Sequence, residues 1–216
     1  MGLFDKFFGK KETENKVQSS FSTDILTDSE KELCKSANLS EEDGLLLKKL
    51  TQRPIEVLKF ENEYSEIEKP DAIGSLTSEQ NAKKIVSDNL DHFKKQGKYI
   101  FIFGIAHKGY IVGLTGATSD PYKLMELAET NGINYDIETK NIIEKYKKWD
   151  SEFGIIPIGI GFDFCECKIK NTNIDFKKLA QEVYEFCPDV VDQGTETVEA
   201  LEEEMKRTGT IYLWWD

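Results

Sequence analysis

The chain has 216 residues, of which 39% are hydrophobic and 31% charged, and its formal net charge is −12. A chain of this length buries enough apolar surface to fold without disulfides or a structural metal. The acidic balance argues against sequence-independent binding to nucleic acid, which depends on Lys and Arg contacts to phosphates. It favours either a partner with a basic face or simply a well-solvated surface.

The cysteines and the N-terminal residues predict a cytoplasmic protein. No run approaches the ~18 apolar residues of a membrane span. The N-terminus also lacks the apolar region and small-residue cleavage site of a secretory leader. The thiols are therefore expected to stay reduced, namely those of Cys34, Cys165, Cys167 and Cys187.

Residues 1–20 predict a tail that is separate from the main domain. On a helical wheel, four apolar side chains fall within an arc of about 140°: Leu3, Phe4, Phe7 and Phe8. The polar residues that follow have the composition of a tether. A helix this short is marginal alone in water, so it would form only against a membrane surface, a partner or its own domain. Peripheral membrane contact through residues 1–11 and a simple docked tail both remain open.

Residues 21–216 predict a single α+β domain, in which 21–70 form an N-terminal part of helices and a strand. The words Thr27-Asp-Ser-Glu30 and Ser40-Glu-Glu-Asp43 have the pattern of capping boxes and open two helices. A strand is expected over 55–60. The acidic run 61–71 is expected to be a long connection.

Residues 77–216 predict the main sheet and its helices. The apolar run 99–105 is typical of a strand buried on both faces, with 109–114 as its hairpin partner. Residues 155–169 predict two short strands or one bent strand, and 210–215 the last strand. Helices are expected to begin at Ser/Thr/Asp caps and to span 77–96, 120–131, 138–149, 174–186 and 196–207. The order strand–strand–helix–helix thus occurs twice, as in a repeated ββαα unit on one mixed or antiparallel sheet.

Several uncommon sequence motifs in the second half of the chain carry a family resemblance. They are Thr130-Asn-Gly-Ile-Asn-Tyr-Asp136, the segment 149–166, Phe186-Cys-Pro-Asp-Val-Val-Asp-Gln-Gly194 and the terminal Leu-Trp-Trp-Asp216. In this order they resemble the bacterial family catalogued as domain of unknown function 4253, over about residues 110–216. The family has no assigned activity, so the resemblance implies a fold and no catalytic residues.

Asp163 is the first candidate for a site. Period-2 alternation over 155–169 groups the even positions as an apolar face and places Gly159, Gly161 and Asp163 on the other face with Cys165 and Cys167. Glycines beside an acid leave the backbone open to a helix or a ligand. Alternatively, the glycines accommodate packing and Asp163 caps a turn.

The thiols are weak candidates for a metal site or a nucleophile. Zinc sites usually pair C-x₂-C ligands with further Cys or His, whereas this chain offers C-x-C with only His92 and His107. Cysteines buried as small hydrophobic side chains are the simpler interpretation. No P-loop lysine, serine elbow or HExxH is present, so the sequence predicts neither a metal nor a cofactor.

Other acids and the two terminal tryptophans complete the set of candidates. Carboxylates fall at element ends or in short loops, where turns and caps often place them: Asp136, Asp163, Glu166, Asp189, Asp192 and Asp216. If three converged, they could act as acid and base or hold a cation. Trp214 and Trp215 are expected to point to opposite faces of the last strand. One would be in the core and the other partly exposed or covered by the N-terminal region, but a strand buried on both faces is the favoured interpretation.

Three hypotheses about function follow. The first is a non-enzymatic domain that binds a macromolecular partner through an acidic, aromatic surface, with an immunity-type or accessory regulatory role by analogy only. Its binding residues would be Asp136, Asp163, Asp189, Trp214 and Asp216. The second is a hydrolase or metal-dependent enzyme that uses Asp163, Glu166 and Asp192. The third is a peripheral membrane protein recruited by residues 1–11.

Overall fold

The computed structural model describes residues 22–61, 66–105 and 109–215. The predicted tail with Leu3, Phe4, Phe7 and Phe8, together with His107 and Asp216, lies outside these ranges.

Within these ranges, seven strands form one mixed sheet in the order β1-β2-β4-β3-β5-β6-β7. The strands are β1 (Glu56–Glu61), β2 (Glu66–Thr77), β3 (Tyr99–Ile105), β4 (Gly109–Thr115), β5 (Ile155–Ile160), β6 (Phe164–Ile169) and β7 (Thr210–Trp214). Only the central pair β3–β5 is parallel, whereas the other neighbours are antiparallel. The predicted α+β class with a single mixed sheet is therefore confirmed.

The α-helices of the described ranges are α1 (Asp28–Ser36), α2 (Glu41–Thr51), α3 (Glu79–Lys95), α4 (Pro121–Ala128), α5 (Thr139–Phe153), α6 (Phe176–Phe186) and α7 (Val198–Thr208). Both predicted capping boxes are present, at Thr27 and at Ser40. A short 3₁₀ helix (Ile133–Tyr135) and a π-helical segment (Val190–Thr195) lie between the longer helices.

The helices cover the two faces of the sheet. The strand register places Ser75 of β2 and Glu166 of β6 on one face. Helix α2 contacts that face through the Thr51–Ser75 hydroxyl pair at 2.7 Å, and α3 contacts it through Lys83, 3.6 Å from Glu166. The opposite face carries Cys165 and Cys167, against which Tyr146 of α5 packs.

The N-terminal helices are joined to the sheet by polar contacts. The Asn38 amide donates to Gly116 O at 2.9 Å, and Gly116 N donates to Ala37 O at the same distance. Lys98, just before β3, binds the Asp43 carboxylate at 2.6 Å. Apolar residues from Leu26 to Trp215 belong to one continuous core.

Two expectations about the strands were wrong. The acidic run 61–71 is mostly strand, because β2 begins at Glu66 and pairs with β1; backbone pairing outweighs the polar composition. The face of Gly159 was also misassigned. An irregularity between Pro157 and Gly159 shifts the register, so Gly159 lies opposite Glu166 and Ile160 opposite Cys165. One extra residue moves the following side chains to the other face.

None of the helices within the described ranges combines the length and the apolarity that crossing a lipid bilayer would require.

Candidate functional site

Four segments meet at one end of the sheet, and we call this region the junction: residues 129–137, 161–164, 187–196 and 214–215. Backbone hydrogen bonds join them, from Asn131 N to Phe162 O at 2.9 Å and from Trp215 N to Asp163 O at 3.0 Å. The Cys187 thiol donates to Trp214 O at 2.9 Å. These contacts bring together the uncommon words that carry the family resemblance.

The topology explains why these segments meet. Strand β5 ends at Ile160, β6 begins at Phe164 and β7 ends at Trp214. Because neighbouring strands are antiparallel here, these three points lie at the same end of the sheet. The loop after α4 reaches the same place, where the buried Thr130 hydroxyl donates to Gly161 O at 2.6 Å.

The loop 132–137 is a closed, well-supported turn. Gly132 and Ile137 exchange two backbone hydrogen bonds, of 2.8 and 3.1 Å, around the 3₁₀ helix. Asp136 takes a left-handed conformation with φ 56°, which Asp tolerates better than most residues. Gly132 packs on Trp215 so closely that a Cβ there would lie 2.7 Å from the indole. The glycine is required by this close approach.

Tyr135 connects the loop to the π-helical segment. Its hydroxyl donates to Asp189 Oδ1 at 2.5 Å, and the same oxygen accepts a hydrogen bond from Gln193 Nε2 at 2.9 Å. The bond to the Asp189 carboxylate raises the pKa of the Tyr135 hydroxyl to about 12, because the proton is held between them. Glu196, just after the segment, has φ 70°, and such local strain often accompanies π-helical turns at functional positions.

The tryptophans occupy different environments. Trp215 is buried and meets the Phe186 ring edge-on at 6.0 Å. Trp214 is half-buried on the opposite face, 5.9 Å from the Tyr212 ring. Trp215 thus lies in the core and Trp214 is partly exposed, whereas the interpretation that the sequence favoured was a strand buried on both faces.

The predicted acids do not form a single cluster. Asp136, Asp163 and Asp192 are exposed in different segments of the junction, and Asp189 is buried there. Asp192 accepts a hydrogen bond of 3.1 Å from the Tyr184 hydroxyl. In the described ranges, no group of three His, Cys, Asp or Glu side chains is arranged to hold a metal ion.

Glu166 lies apart from the other candidates. It is only 2% exposed, on the face covered by α3. Lys83 Nζ lies 3.6 Å from its carboxylate and 3.0 Å from that of Glu79. Burial raises the pKa of the Glu166 carboxyl, and the Lys83 charge offsets only part of that effect. Glu166 is thus a buried carboxyl paired with one lysine.

The glycines beside Asp163 serve packing. A Cβ on Gly159 would lie 2.9 Å from Glu166 Cβ, and one on Gly161 would clash with the Phe164 ring. Both positions make room for side chains of β6. Asp163 itself stands in the turn between β5 and β6, as the packing interpretation predicted.

The four cysteines are buried free thiols. Burial raises the pKa of the Cys34 thiol to about 11 and that of Cys187 to about 12. Burial also raises the thiol pKa values of Cys165 and Cys167. A thiol that stays protonated is a poor nucleophile, so these side chains behave as small hydrophobic groups, as the sequence predicted.

A shallow groove of about 600 Å³ lies between α6 and α7. Its lining is mostly charged: Asp175, Lys177, Lys178, Gln181, Glu182, Glu185, Val198, Glu199 and Glu202. It includes none of the predicted site residues. Without convergent polar groups over an apolar floor, it lacks the features of a small-molecule site.

Sequence reasoning missed the apolar centre of the junction. Ile133 is 76% exposed and Tyr135 39% exposed. Both lie in the word Asn-Gly-Ile-Asn-Tyr-Asp, whose turn-forming residues indicate a surface loop. A large aliphatic residue within such a loop was the available signal.

The junction contains six acids: Glu129, Asp136, Asp163, Asp189, Asp192 and Glu196. Its four segments contain no Lys, Arg or His. Of these acids, Asp136 lies in the same loop as Ile133 and Tyr135, and Asp189 and Asp192 act electrostatically on the Tyr135 hydroxyl.

The profile of one protein family matches residues 112–216, and its description is Domain of unknown function (DUF4253). No curated protein and no solved structure shows significant similarity to the chain. The matched residues include every segment of the junction. Residues 112–216 are thus similar to the DUF4253 family, as the motifs in the second half of the sequence predicted.

Proposed function

We propose that this protein is a binding domain whose junction docks a protein partner with a basic face. The observation that carries the proposal is the composition of the junction, whose four segments, distant in sequence, contain six acids and no Lys, Arg or His. Complementary charge accelerates the encounter of two proteins and selects between partners. An immunity-type or accessory regulatory role would use such a surface.

The exposed side chains of the junction suit this role. Asp136 is exposed in the same loop as Ile133 and Tyr135, and the exposed Asp192 acts electrostatically on the Tyr135 hydroxyl. Interfaces commonly combine an apolar or aromatic centre with a polar rim. Asp189 is buried beneath this surface, where it holds Tyr135, and we assign it a supporting role.

The rival enzyme hypothesis lacks geometric support. Asp163 is exposed in the turn between β5 and β6 and Asp192 in the π-helical segment, while Glu166 is buried next to α3. A hydrolase site needs its acid and base within reach of one reacting atom. The membrane hypothesis depends on residues 1–11, which lie outside the described ranges.

The test is a pull-down with the immobilised full-length chain from a lysate of the organism that produces it. The captured partner is then purified and its association rate is measured at low and high salt. We expect the double variant Asp136→Asn/Asp192→Asn to slow association by about tenfold at low salt, because exposed interface charges act mainly on encounter.

A matched control removes the same charge elsewhere. Asp24 and Asp28 are exposed near α1, at 84% and 102% side-chain exposure. Asp24→Asn/Asp28→Asn should leave the rate unchanged. Failure to recover a stoichiometric partner, or equal effects of the two double variants, would refute the proposal.

A further inference from the structure

Ile133 is the most exposed large hydrophobic residue of the described ranges, ahead of Ile25 at 66%, Leu76 at 41% and Tyr135 at 39%. A single exposed aliphatic side chain is common and means little alone. Ile133 differs because of its support and its surroundings.

Hydrogen bonds on both sides of Ile133 hold the backbone of its loop. Its own N–H donates to Asn131 Oδ1 at 3.2 Å, and its carbonyl accepts a hydrogen bond from Asp136 N at 3.2 Å. The paired ends of the loop close the turn below it, and Gly132 rests on the buried Trp215. The side chain therefore projects from a rigid base, and little conformational freedom is left to lose on binding.

The surroundings of Ile133 indicate what it would contact. Tyr135 stands two residues away, held by Asp189. The exposed acids Asp136 and Asp192 belong to the same junction. Apolar anchors surrounded by polar groups are the usual form of an interface hot spot.

We propose that Ile133 is the anchor of the interface and inserts into an apolar pocket of the partner that is rimmed by Lys or Arg. This inference rests on the proposed function and adds to it the shape and chemistry of the partner's surface. This protein thus supplies the protruding side chain, and the partner supplies the apolar pocket that receives it.

The charge of the junction argues for a different protein as the occupant. A second copy would bring the exposed Asp136 and Asp192 against the same acids, and like charges facing each other disfavour association. A membrane with anionic lipids would be repelled for the same reason. A basic protein with an apolar pocket would bury the exposed isoleucine and pair its cations with the acids.

The test measures the affinity of the captured and purified partner by titration calorimetry with full-length variants. We expect Ile133→Ala to raise the Kd by about 30-fold, as for a hot-spot residue. Ile133→Val keeps most of the side chain and should raise the Kd by less than about 5-fold. Ile25→Ala, a control at an exposed isoleucine outside the junction, should change Kd by less than about 2-fold.

The outcomes separate this inference from the proposed function. If Asp136→Asn/Asp192→Asn weakens binding and Ile133→Ala does not, the anchor is refuted while the acidic surface stands. If no partner is captured, or neither change matters, both ideas fall. Self-association in sedimentation velocity that Ile133→Asp abolishes would also overturn the inference, because the occupant would then be a second copy.

Discussion

The Tyr135 hydroxyl donates a 2.5 Å hydrogen bond to the buried Asp189 carboxylate and so ties the loop 132–137 to the π-helical segment. The two residues are 54 positions apart in sequence. Because Tyr135 lies two residues after Ile133, this bond also fixes where Ile133 stands. The partly exposed side chain of Tyr135 thus helps to hold the neighbouring exposed residues of the loop in place.

Tyr135→Phe removes only the hydroxyl of this pair. A hydrogen bond to a charged group contributes about 1.5–3 kcal/mol, so we expect the free energy of unfolding to fall by about 1–2 kcal/mol because the site is partly exposed. Urea denaturation measures the change. Tyr184→Phe is the matched control, because it removes the longer 3.1 Å bond to the exposed Asp192. It should have little effect, and equal losses in the two variants would contradict the role of Tyr135.

The same pair predicts a dependence on alkaline pH. The folded-state pKa of Tyr135 is about 12, above the ordinary value of 10.0. A raised pKa stabilises the fold fully below the unfolded value, and that contribution is lost as the pH rises through the folded value. The stability difference between wild type and Tyr135→Phe should therefore shrink from pH 10 to pH 12. A constant difference in urea denaturation over this range would argue against a proton held between Tyr135 and Asp189.

Local signals in the sequence predicted much of the fold. The hydroxyl–acid spacing at Thr27 and Ser40 placed two helix starts, and the apolar run 99–105 placed a central strand. These features depend on residues close in sequence. Strand β2 was missed because its pairing with β1, rather than its acidic composition, decides its structure.

The candidate site was predicted in part only. Asp136, Asp189 and Asp192 were identified as candidates, but their positions relative to one another depend on contacts between distant segments, such as Gly132 with Trp215. Glu166 belonged to the same list and lies on the face under α3. Period-2 alternation could not reveal the irregularity between Pro157 and Gly159, which places Gly159 opposite Glu166. Ile133 could be recognised only from its exposure in the folded structure.

Gly132→Ala tests the contact beneath the loop. The added Cβ would lie 2.7 Å from the Trp215 indole, so the loop or the ring must shift. Overpacking of this kind costs about 1–3 kcal/mol, and we expect that loss in urea denaturation together with a changed near-UV circular dichroism spectrum. Asn134→Ala, at an exposed position of the same loop, should change stability by less than about 0.5 kcal/mol. A tolerated Gly132→Ala would mean that the loop does not rest on Trp215.

Glu166→Gln tests the buried carboxyl next to Lys83. Burial raises its pKa above the ordinary 4.5, so its contribution to stability is full below that value and is lost as the pH rises through the folded pKa. As the pH rises from 4.5 through the folded pKa of Glu166, the wild type should lose stability, and Glu166→Gln should not. Lys83 keeps Glu79 at 3.0 Å as a partner, so the variant is expected to fold. Glu203→Gln, an exposed position on α7, should keep the wild-type pH profile, and a Glu166→Gln profile that matched it would refute this account.

Glu30→Gln tests the buried ion pair that holds α1 to α2. The Glu30 carboxylate accepts hydrogen bonds from Lys48 Nζ at 2.7 Å, Thr27 N at 2.8 Å and Ile55 N at 3.3 Å. Both members of the pair are buried, so the change leaves a buried lysine without its counter-charge. Removing one partner of such a pair costs about 3–5 kcal/mol, which urea denaturation at pH 7 would measure.

Acid pH should reproduce this loss in the wild type. Burial alone would raise the pKa of Glu30, but Lys48 and the two backbone donors outweigh it and lower the pKa. The contribution is therefore present above the unfolded value of 4.5 and is lost as the pH falls through the folded value. Asp28→Asn breaks the exposed 3.4 Å pair with Lys31 and should have no measurable effect. If Glu30→Gln were equally silent, the pair would not hold the two helices together.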